Sequence, residues 1–266
     1  MKFTTPVNIK TKKTIDHNSR IVMLGSCFAE NIGKKLIESG FNVVMNPMGI
    51  LYNPISIHSA LKRIIEGREF TEDDLFYHNG LWASFMHHGS FSHSDKSEAL
   101  RLMNKKLHEG HKQLKNATHL IITFGSAEVY EHNGLVVSNC HKLPSREFTH
   151  RLLSIDEIIT SSISLSSLNP QLSTIFTISP VRYLGNGAHH GQINKATLLL
   201  ATEQLCQTTG AKYFPSYEIM MDELRDYRYY AADMIHPSEI AVEYIFERFT
   251  ATYLTEEAIR TAEEVL

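Results

Sequence analysis

The segment Gly25–Ala29, which reads Gly-Ser-Cys-Phe-Ala, constrains the fold of this chain more than any other. It follows an apolar run at 21–24 and precedes a helix-like stretch at 30–37, a pattern that predicts a strand, a tight turn and a helix. Side chains at such a turn are exposed at the carboxyl edge of a sheet, and the free N–H groups of the helix start can stabilise an oxyanion. The hydroxyl of Ser26 and the thiol of Cys27 are therefore candidate nucleophiles.

A base for such a nucleophile is present towards the far end of the sequence, in Asp233 and His236. Their spacing lets one short loop carry both side chains, so that Asp233 binds one ring nitrogen of His236 while the other nitrogen faces the hydroxyl. An Asp-x-x-His segment is also common where a turn leads into a helix. The pair indicates catalysis only in combination with Ser26.

Five strand-like apolar runs alternate with helical patterns along the chain, at 21–24, 43–45, 120–124, 174–179 and 212–214. This alternation predicts an α/β fold, a three-layer α/β/α sandwich with a mainly parallel sheet. We expect residues 1–266 to form a single domain with a helical and loop insertion at about 55–118 and a hairpin at about 129–142, where Asn133-Gly134 marks the turn. Ser94 or Ser97 is expected to cap the helix that follows them.

Charge and cysteine usage exclude several classes of partner. The formal net charge is -3, with 26 basic and 29 acidic residues, so the chain lacks the basic surface that nucleic acid or an anionic membrane requires. No export signal is visible and no run approaches the ~20 apolar residues of a membrane span. The three cysteines lack metal-type spacing and suit a reducing compartment. We therefore expect a cytoplasmic protein that acts on a small molecule or a neutral polymer.

Several further segments, together with Gly25–Ala29, resemble the GSCFA family; they lie at 46–54, 124–127, 138–142, 179–182, 214–218, 222–228 and 233–238. That family is in turn similar to the SGNH or GDSL hydrolases, which are flavodoxin-like α/β/α esterases with a serine nucleophile and an Asp-x-x-His block. The resemblance implies that Ser26 is the nucleophile, that His236 is the base and that Asp233 orients it.

The same resemblance implies an oxyanion hole formed by the backbone N–H groups of Ser26 and Gly49. In those hydrolases an Asn side chain completes it, but Ala127 stands at that position in this sequence. The loss of one such donor costs about 2.7–4 kcal/mol in a characterised serine hydrolase. Asn139, in the predicted hairpin, is the expected substitute.

Three other candidates have alternative interpretations. Cys27 is a rival nucleophile, because a thiol at a helix N-terminus is reactive. Arg182 follows a predicted strand, where it either binds a substrate carboxylate or phosphate or forms an ion pair with an acidic neighbour such as Glu218 or Asp222. The histidines do not have the spacing of helical metal ligands, which favours solvated loop histidines over a metal site; those considered are His87, His88, His93, His189 and His190, with Asp95 beside them.

The sequence therefore predicts a serine esterase or acyl hydrolase of SGNH type that removes an acyl or acetyl group from a carbohydrate or another small metabolite and needs no cofactor. Two alternatives stay open. One is a non-catalytic ligand-binding protein on the same fold, favoured by Ala127. The other is an acyl-transfer enzyme that depends on Cys27.

Overall fold

The computed structural model describes residues 4–166 and 172–265 of the chain. Its strands, in chain order, are β1 (Arg20–Gly25), β2 (Asn42–Met45), β3 (Phe76–His78), β4 (Leu81–Ala83), β5 (His119–Phe124), β6 (Glu128–His132), β7 (Leu135–Val137), β8 (Thr149–Leu152), β9 (Ser173–Ile178) and β10 (Lys212–Phe214). Its helices are α1 (Cys27–Glu38), α2 (Pro54–Glu66), α3 (Lys96–Lys115), α4 (Ile155–Ser166), α5 (Ala188–Thr209), α6 (Ser216–Glu218), α7 (Glu239–Tyr253) and α8 (Glu256–Val265). Within these described ranges, no helix combines the length and the apolar character needed to cross a bilayer.

Five parallel strands form the central sheet in the order β10-β9-β5-β1-β2. Numbered along the chain among themselves, these strands run 2-1-3-4-5 across the sheet, which is the flavodoxin-like order. Val22 of β1 pairs with Val44 on one side and with Leu120 on the other. The α/β prediction is confirmed, and the strand order reverses between β1 and β5.

Helices cover both faces of this sheet. Successive residues of a strand point to opposite faces, so each strand contributes apolar side chains to both helical layers. Val22 and Leu24 face the layer that contains α2, α3, α4 and α5. Ile21 and Met23 face the layer that contains α1, α7 and α8. Every residue of β5 is buried, as expected for a central strand that is covered on both faces. The sheet with its two helical layers is the predicted three-layer arrangement.

The segment between β2 and β5 contains α2 and α3, joined by the short β3–β4 hairpin. The prediction that Ser94 or Ser97 caps α3 is wrong. The N-cap is Asp95, whose carboxylate accepts hydrogen bonds from the backbone N–H of Glu98 and from the Ser97 hydroxyl. A carboxylate is favoured over a hydroxyl there because its charge also interacts with the helix dipole.

A second, small antiparallel sheet in the order β7-β6-β8 follows β5. The turn between β6 and β7 is formed by Asn133 and Gly134, whose φ angles are 52° and 76°. Two consecutive positive φ angles are characteristic of a tight hairpin turn, and Asn-Gly is the pair that adopts them most readily. The small sheet carries the chain away from the end of β5 and back to α4.

Three histidines are buried among the residues that the structure describes, and burial lowers the pKa of His58 and His87 to about 3 and that of His119 to about 4. The ring of His87 packs 4.5 Å from Phe70 and 4.9 Å from Phe91, and neither of its nitrogens has a hydrogen-bond partner among the described residues. The folded protein therefore holds these imidazoles neutral.

We expect the free energy of unfolding to fall as the pH is lowered from about 6.5 towards 4. Over that interval the unfolded chain binds protons at these histidines and the folded chain does not, so each contributes about 1.4 kcal/mol per pH unit. Urea unfolding at pH 7.5, 6 and 5 measures this slope. His87→Phe should reduce the slope by the contribution of one histidine, and an unchanged slope in that variant would contradict the interpretation.

Candidate active site

The turn between β1 and α1 is shaped by Gly25, whose φ of 141° is accessible to glycine and strained for other residues. A Cβ atom at this position would lie 2.2 Å from the backbone oxygen of Thr123, on the neighbouring strand. Ser26 follows as the N-cap of α1 in an extended conformation, and its side chain makes no capping hydrogen bond. The local backbone therefore forms the predicted strand, turn and helix, and the Ser26 hydroxyl is not used to cap the helix.

The Ser26 side chain is buried, with 1% of the residue exposed, which corrects the expectation of an exposed turn. Its oxygen has no hydrogen-bond partner among the described residues, so His236 does not bind it in this structure. Gly125 packs against it so closely that a Cβ atom at Gly125 would lie 3.3 Å from the Ser26 Cβ and 3.3 Å from a ring carbon of Tyr52. The segment after β5 thus packs against the serine, and Tyr52 packs against that segment.

The Cys27 thiol lies at the start of α1 and is partly exposed. Burial raises its pKa above the usual value, and Glu30 adds to this effect. The backbone amides of Phe28 and Cys27 and the charge of Lys195 act on this pKa in the opposite direction without cancelling the effect of burial. The start of the helix therefore does not lower the pKa of this thiol below its usual value.

Asp233 and His236 form the predicted pair. Asp233 Oδ2 lies 2.6 Å from His236 Nδ1, and Asp233 Oδ1 accepts hydrogen bonds from the backbone N–H groups of Ile235 and His236 at 2.9 and 3.0 Å. The backbone and side-chain hydrogen bonds of His236 lower the pKa of Asp233 to about 2. The carboxylate is therefore ionised at neutral pH and holds the imidazole by its Nδ1 atom.

Arg182 connects this loop to the sheet. Its backbone N–H donates to Ile235 O at 3.0 Å, and its guanidinium approaches Met234 O at 3.5 Å. Because Arg182 follows the carboxyl end of β9 and all strands of the central sheet are parallel, the loop lies on the same edge as Ser26. The structure therefore brings the two predicted parts of the triad to one edge, although not into hydrogen-bond contact.

The ion-pair interpretation of Arg182 is wrong for the described residues. Asp222 lies 3.8 Å from Arg225, and Glu218 accepts a hydrogen bond from the Tyr213 hydroxyl. The Arg182 guanidinium instead lies over two aromatic rings, 5.3 Å from the centre of Tyr230 and 5.5 Å from that of Tyr227. Its binding to a substrate anion stays a prediction.

Both backbone N–H groups expected in the oxyanion hole have partners. Ser26 N donates to Thr123 O at 3.3 Å, and Gly49 N donates to Asn46 O at 2.8 Å. Gly49 also has a packing role, because a Cβ atom there would lie 2.4 Å from the Cβ of His88. The positive φ of Gly49, 80°, follows from this tight turn. The structure thus explains this glycine without reference to an oxyanion.

Asn139 lies on the loop that follows β7. Its Oδ1 atom accepts a hydrogen bond from the backbone N–H of His141 at 2.7 Å, and no described residue accepts one from its Nδ2 atom. That nitrogen would lie 3.8 Å from a Cβ atom at Gly89, the residue after His88, which packs on Gly49. Asn139 therefore approaches the Gly49 side of the edge with its amide donor unused.

Asn194 and Lys195 are two site residues that the sequence analysis missed. Asn194 accepts from the backbone N–H of Ala127 at 2.7 Å and donates to the Ser126 hydroxyl at 2.8 Å. Lys195 Nζ donates to Gly125 O at 2.9 Å and to Ser179 O at 2.8 Å. Burial lowers the pKa of Lys195 to about 7, and the Cys27 thiol opposes this shift.

The sequence does carry a signal for these two residues. The buried positions of α5 recur with helical spacing and form one stripe that consists of Asn194, Lys195, Leu198, Ala201, Thr202 and Leu205. An amide and an amine at the start of an otherwise mainly apolar stripe must have partners, because unpaired polar groups are costly to bury. Their partners belong to the loops at the carboxyl edge.

The remaining candidate groups are the histidines considered for a metal site. In the described part of the chain, no three His, Cys, Asp or Glu side chains are arranged to hold a metal ion. His190 contacts the buried carboxylate of Glu128, as does His150. A cavity of about 640 Å³ lies between the sheet and α2, α4 and α5, and no predicted site residue lines it.

The fold and this edge define a class of protein, a doubly wound α/β protein with a hydroxyl and a thiol on the turn where the strand order reverses. The chain belongs to the GSCFA family, whose model matches residues 20–249. The matched region includes the Ser26 turn and the Asp233–His236 loop. No match is found among curated proteins or among solved structures.

We expect Gly25→Ala to destabilise the fold by about 3 kcal/mol or more, because the new methyl group would meet a backbone oxygen at a strained φ angle. Gly134→Ala is the matched control, since Gly134 also has a positive φ and a Cβ atom there would have open space around it. The control should lose only about 1 kcal/mol. Equal losses in urea unfolding would show that the contact with Thr123 is unimportant.

Proposed function

We propose that the chain is a serine esterase or acyl hydrolase of SGNH type that removes an acyl or acetyl group from a carbohydrate or another small metabolite. The observation that carries this proposal is the Asp233–His236 pair, with Nδ1 held at 2.6 Å and no described residue bound to Nε2. An imidazole held in this way is poised to accept a proton at Nε2. This imidazole lies on the same edge as Ser26, and the family model covers both the Ser26 turn and this loop.

In the proposed reaction, Ser26 Oγ attacks the ester carbonyl carbon while His236 Nε2 takes the hydroxyl proton. The ionised carboxylate of Asp233 stabilises the resulting imidazolium. The tetrahedral intermediate collapses, the C–O bond of the ester breaks, and His236 returns the proton to the leaving alcohol. Water then attacks the acyl-serine by the same route, so that the acid is released and Ser26 is regenerated.

Substrate binding must change the local contacts of the serine. The Ser26 hydroxyl has no partner to lose, and rotation about its Cα–Cβ bond is the smallest movement that redirects it. For the oxyanion, Ser26 N–H is bound only at 3.3 Å and Asn139 Nδ2 is unused, whereas Gly49 N–H is bound at 2.8 Å. We therefore infer that Ser26 N–H and the Asn139 side chain are the main hydrogen-bond donors to the oxyanion, and that Gly49 N–H contributes less.

The edge also supports the proposed substrate class. Tyr52, 44% exposed, and Tyr227, 65% exposed, present flat faces near the Ser26 turn and near Arg182 respectively, and aromatic faces of this kind pack well against sugar rings. Arg182 would meet an anionic group of the alcohol portion. The reaction needs no cofactor, and a cytoplasmic location with a small-molecule or carbohydrate ester as partner belongs to the same proposal.

Two other functions each have one supporting observation. The Cys27 thiol is partly exposed at the start of α1, which favours an acyl-transfer enzyme that uses Cys27. The occupied N–H groups of Ser26 and Gly49 favour a ligand-binding protein without catalysis. The activities of the variants described next distinguish both of these functions from the proposed one.

We expect Ser26→Ala to abolish hydrolysis of p-nitrophenyl acetate and to leave the thermal midpoint nearly unchanged, because the buried hydroxyl has no hydrogen bond to lose. Cys27→Ala, one residue along the same turn, is the matched control and should keep most of the activity. His236→Ala should be close to inactive. Loss of activity in Cys27→Ala with retention in Ser26→Ala would establish a thiol enzyme, and an inactive unmodified protein would favour the binding function.

We expect Asn139→Ala to lower kcat by about 10² to 10³ with little change in KM, because the amide would bind the oxyanion mainly in the transition state. Asn139→Asp sharpens the test, since it keeps the acceptor for His141 N–H and removes the N–H donor. It should be as damaging as Asn139→Ala. Recovery of activity in Asn139→Asp would show that the residue only shapes its own loop; Asn133→Gly, at the tip of the same hairpin, should behave as the unmodified protein.

A further inference from the structure

Lys195 joins two strands of the central sheet through one buried amine. The residue is 4% exposed, and its Nζ atom donates to Gly125 O at 2.9 Å and to Ser179 O at 2.8 Å. Gly125 directly follows β5, and Ser179 directly follows β9. The side chain therefore connects the carboxyl ends of two neighbouring strands at the edge that carries Ser26.

One of these two contacts reaches the candidate nucleophile. Gly125 packs against the Ser26 side chain, and its backbone N–H donates to Tyr52 O at 2.8 Å. A shift of Gly125 would therefore change the enclosure of the Ser26 hydroxyl. Asn194 supports the next two residues by binding Ser126 and Ala127, so the start of α5 holds the whole segment after β5.

An apolar residue would be the simpler choice for a purely structural role at this depth, because a buried amine loses its hydration. Both N–H bonds to carbonyl groups are needed to compensate for this loss. An ammonium group has three N–H donors and a neutral amine has two, so both carbonyl bonds can persist when the proton leaves. What changes on deprotonation is the charge beside the Ser26–Cys27 turn.

We propose that Lys195 is a positioning residue of the candidate active site, which ties the Gly125 segment to the Ser179 segment, so holds Gly125 against the Ser26 side chain, and places its amine close to the Ser26–Cys27 turn. Its kinetic consequence rests on the proposed esterase function. Its effect on the Cys27 thiol does not, because alkylation of a thiol requires no turnover. The two readouts therefore test the two proposals separately.

The kinetic test compares Lys195→Met, Lys195→Arg and Lys212→Met on p-nitrophenyl acetate. Lys212 is the matched control, since it lies at the start of β10, at the opposite end of the sheet. Lys195→Met should lower kcat by about 10- to 100-fold with KM within about threefold, as expected when a reacting group is misplaced. Lys195→Arg should recover at least half of that loss on a logarithmic scale, and Lys212→Met should match the unmodified protein.

The second readout is the rate at which iodoacetamide alkylates Cys27, with Cys140 and Cys206 both replaced by serine in every variant. The positive charge of Lys195 favours the thiolate and the pKa of the amine lies near neutrality, so the charge assists alkylation below about pH 7 and is lost above it. Lys195→Met should therefore react about threefold more slowly than the unmodified protein at pH 6.5. Lys195→Arg, which keeps its charge, should react faster than the unmodified protein at pH 9.

Lys195→Met with unchanged kcat and unchanged alkylation would overturn the proposal, as would a Lys212→Met variant with the same defects. If circular dichroism shows that Lys195→Met is unfolded, the alkylation profile of Lys195→Arg decides, and a profile identical to that of the unmodified protein overturns the proposal. If the unmodified protein hydrolyses no ester, the esterase function fails and the alkylation rates alone decide the role of Lys195.

Discussion

The close approach of β1 and β5 at Gly25 is the constraint on which the carboxyl edge depends. Only a residue without a Cβ atom allows the Thr123 carbonyl so near, and that carbonyl then receives the Ser26 N–H. The Gly25 carbonyl accepts a hydrogen bond from Leu51 N–H at 2.9 Å, which brings the segment after β2 over the same turn. This contact and the bond from Leu51 together fix the turn that leads from β1 into α1.

Hydrogen bonds between the loops hold the rest of this carboxyl edge together. Gly25 N–H is bound by the Asn46 side chain, Gly125 N–H by Tyr52 O, and the carbonyls after β5 and β9 by Lys195. Each of these bonds joins segments that are distant in sequence. Since a buried polar group is costly when it is left without a partner, the loops at this edge have few alternative arrangements.

The central strands and the order of layers could be predicted because apolar runs such as 21–24 and 120–124 are local and bounded by turns. The Ser26 turn and the Asp233–His236 pair could be predicted for the same reason, since their spacing is short. Other features depend on contacts that the local sequence does not encode. The burial of Ser26 comes from Gly125, and the roles of Asn194 and Lys195 come from their carbonyl and amide partners on other elements.

The two sides of the candidate triad differ in their access to solvent. The Ser26 oxygen is enclosed, whereas the His236 side chain is 49% exposed on its loop. A reagent that modifies imidazole would therefore meet His236 at the surface and react at a rate set by its own chemistry. A phosphonylating reagent directed at Ser26 could react only as fast as the segments that enclose it uncover the hydroxyl, so the upper limit of that rate would report how often this edge opens.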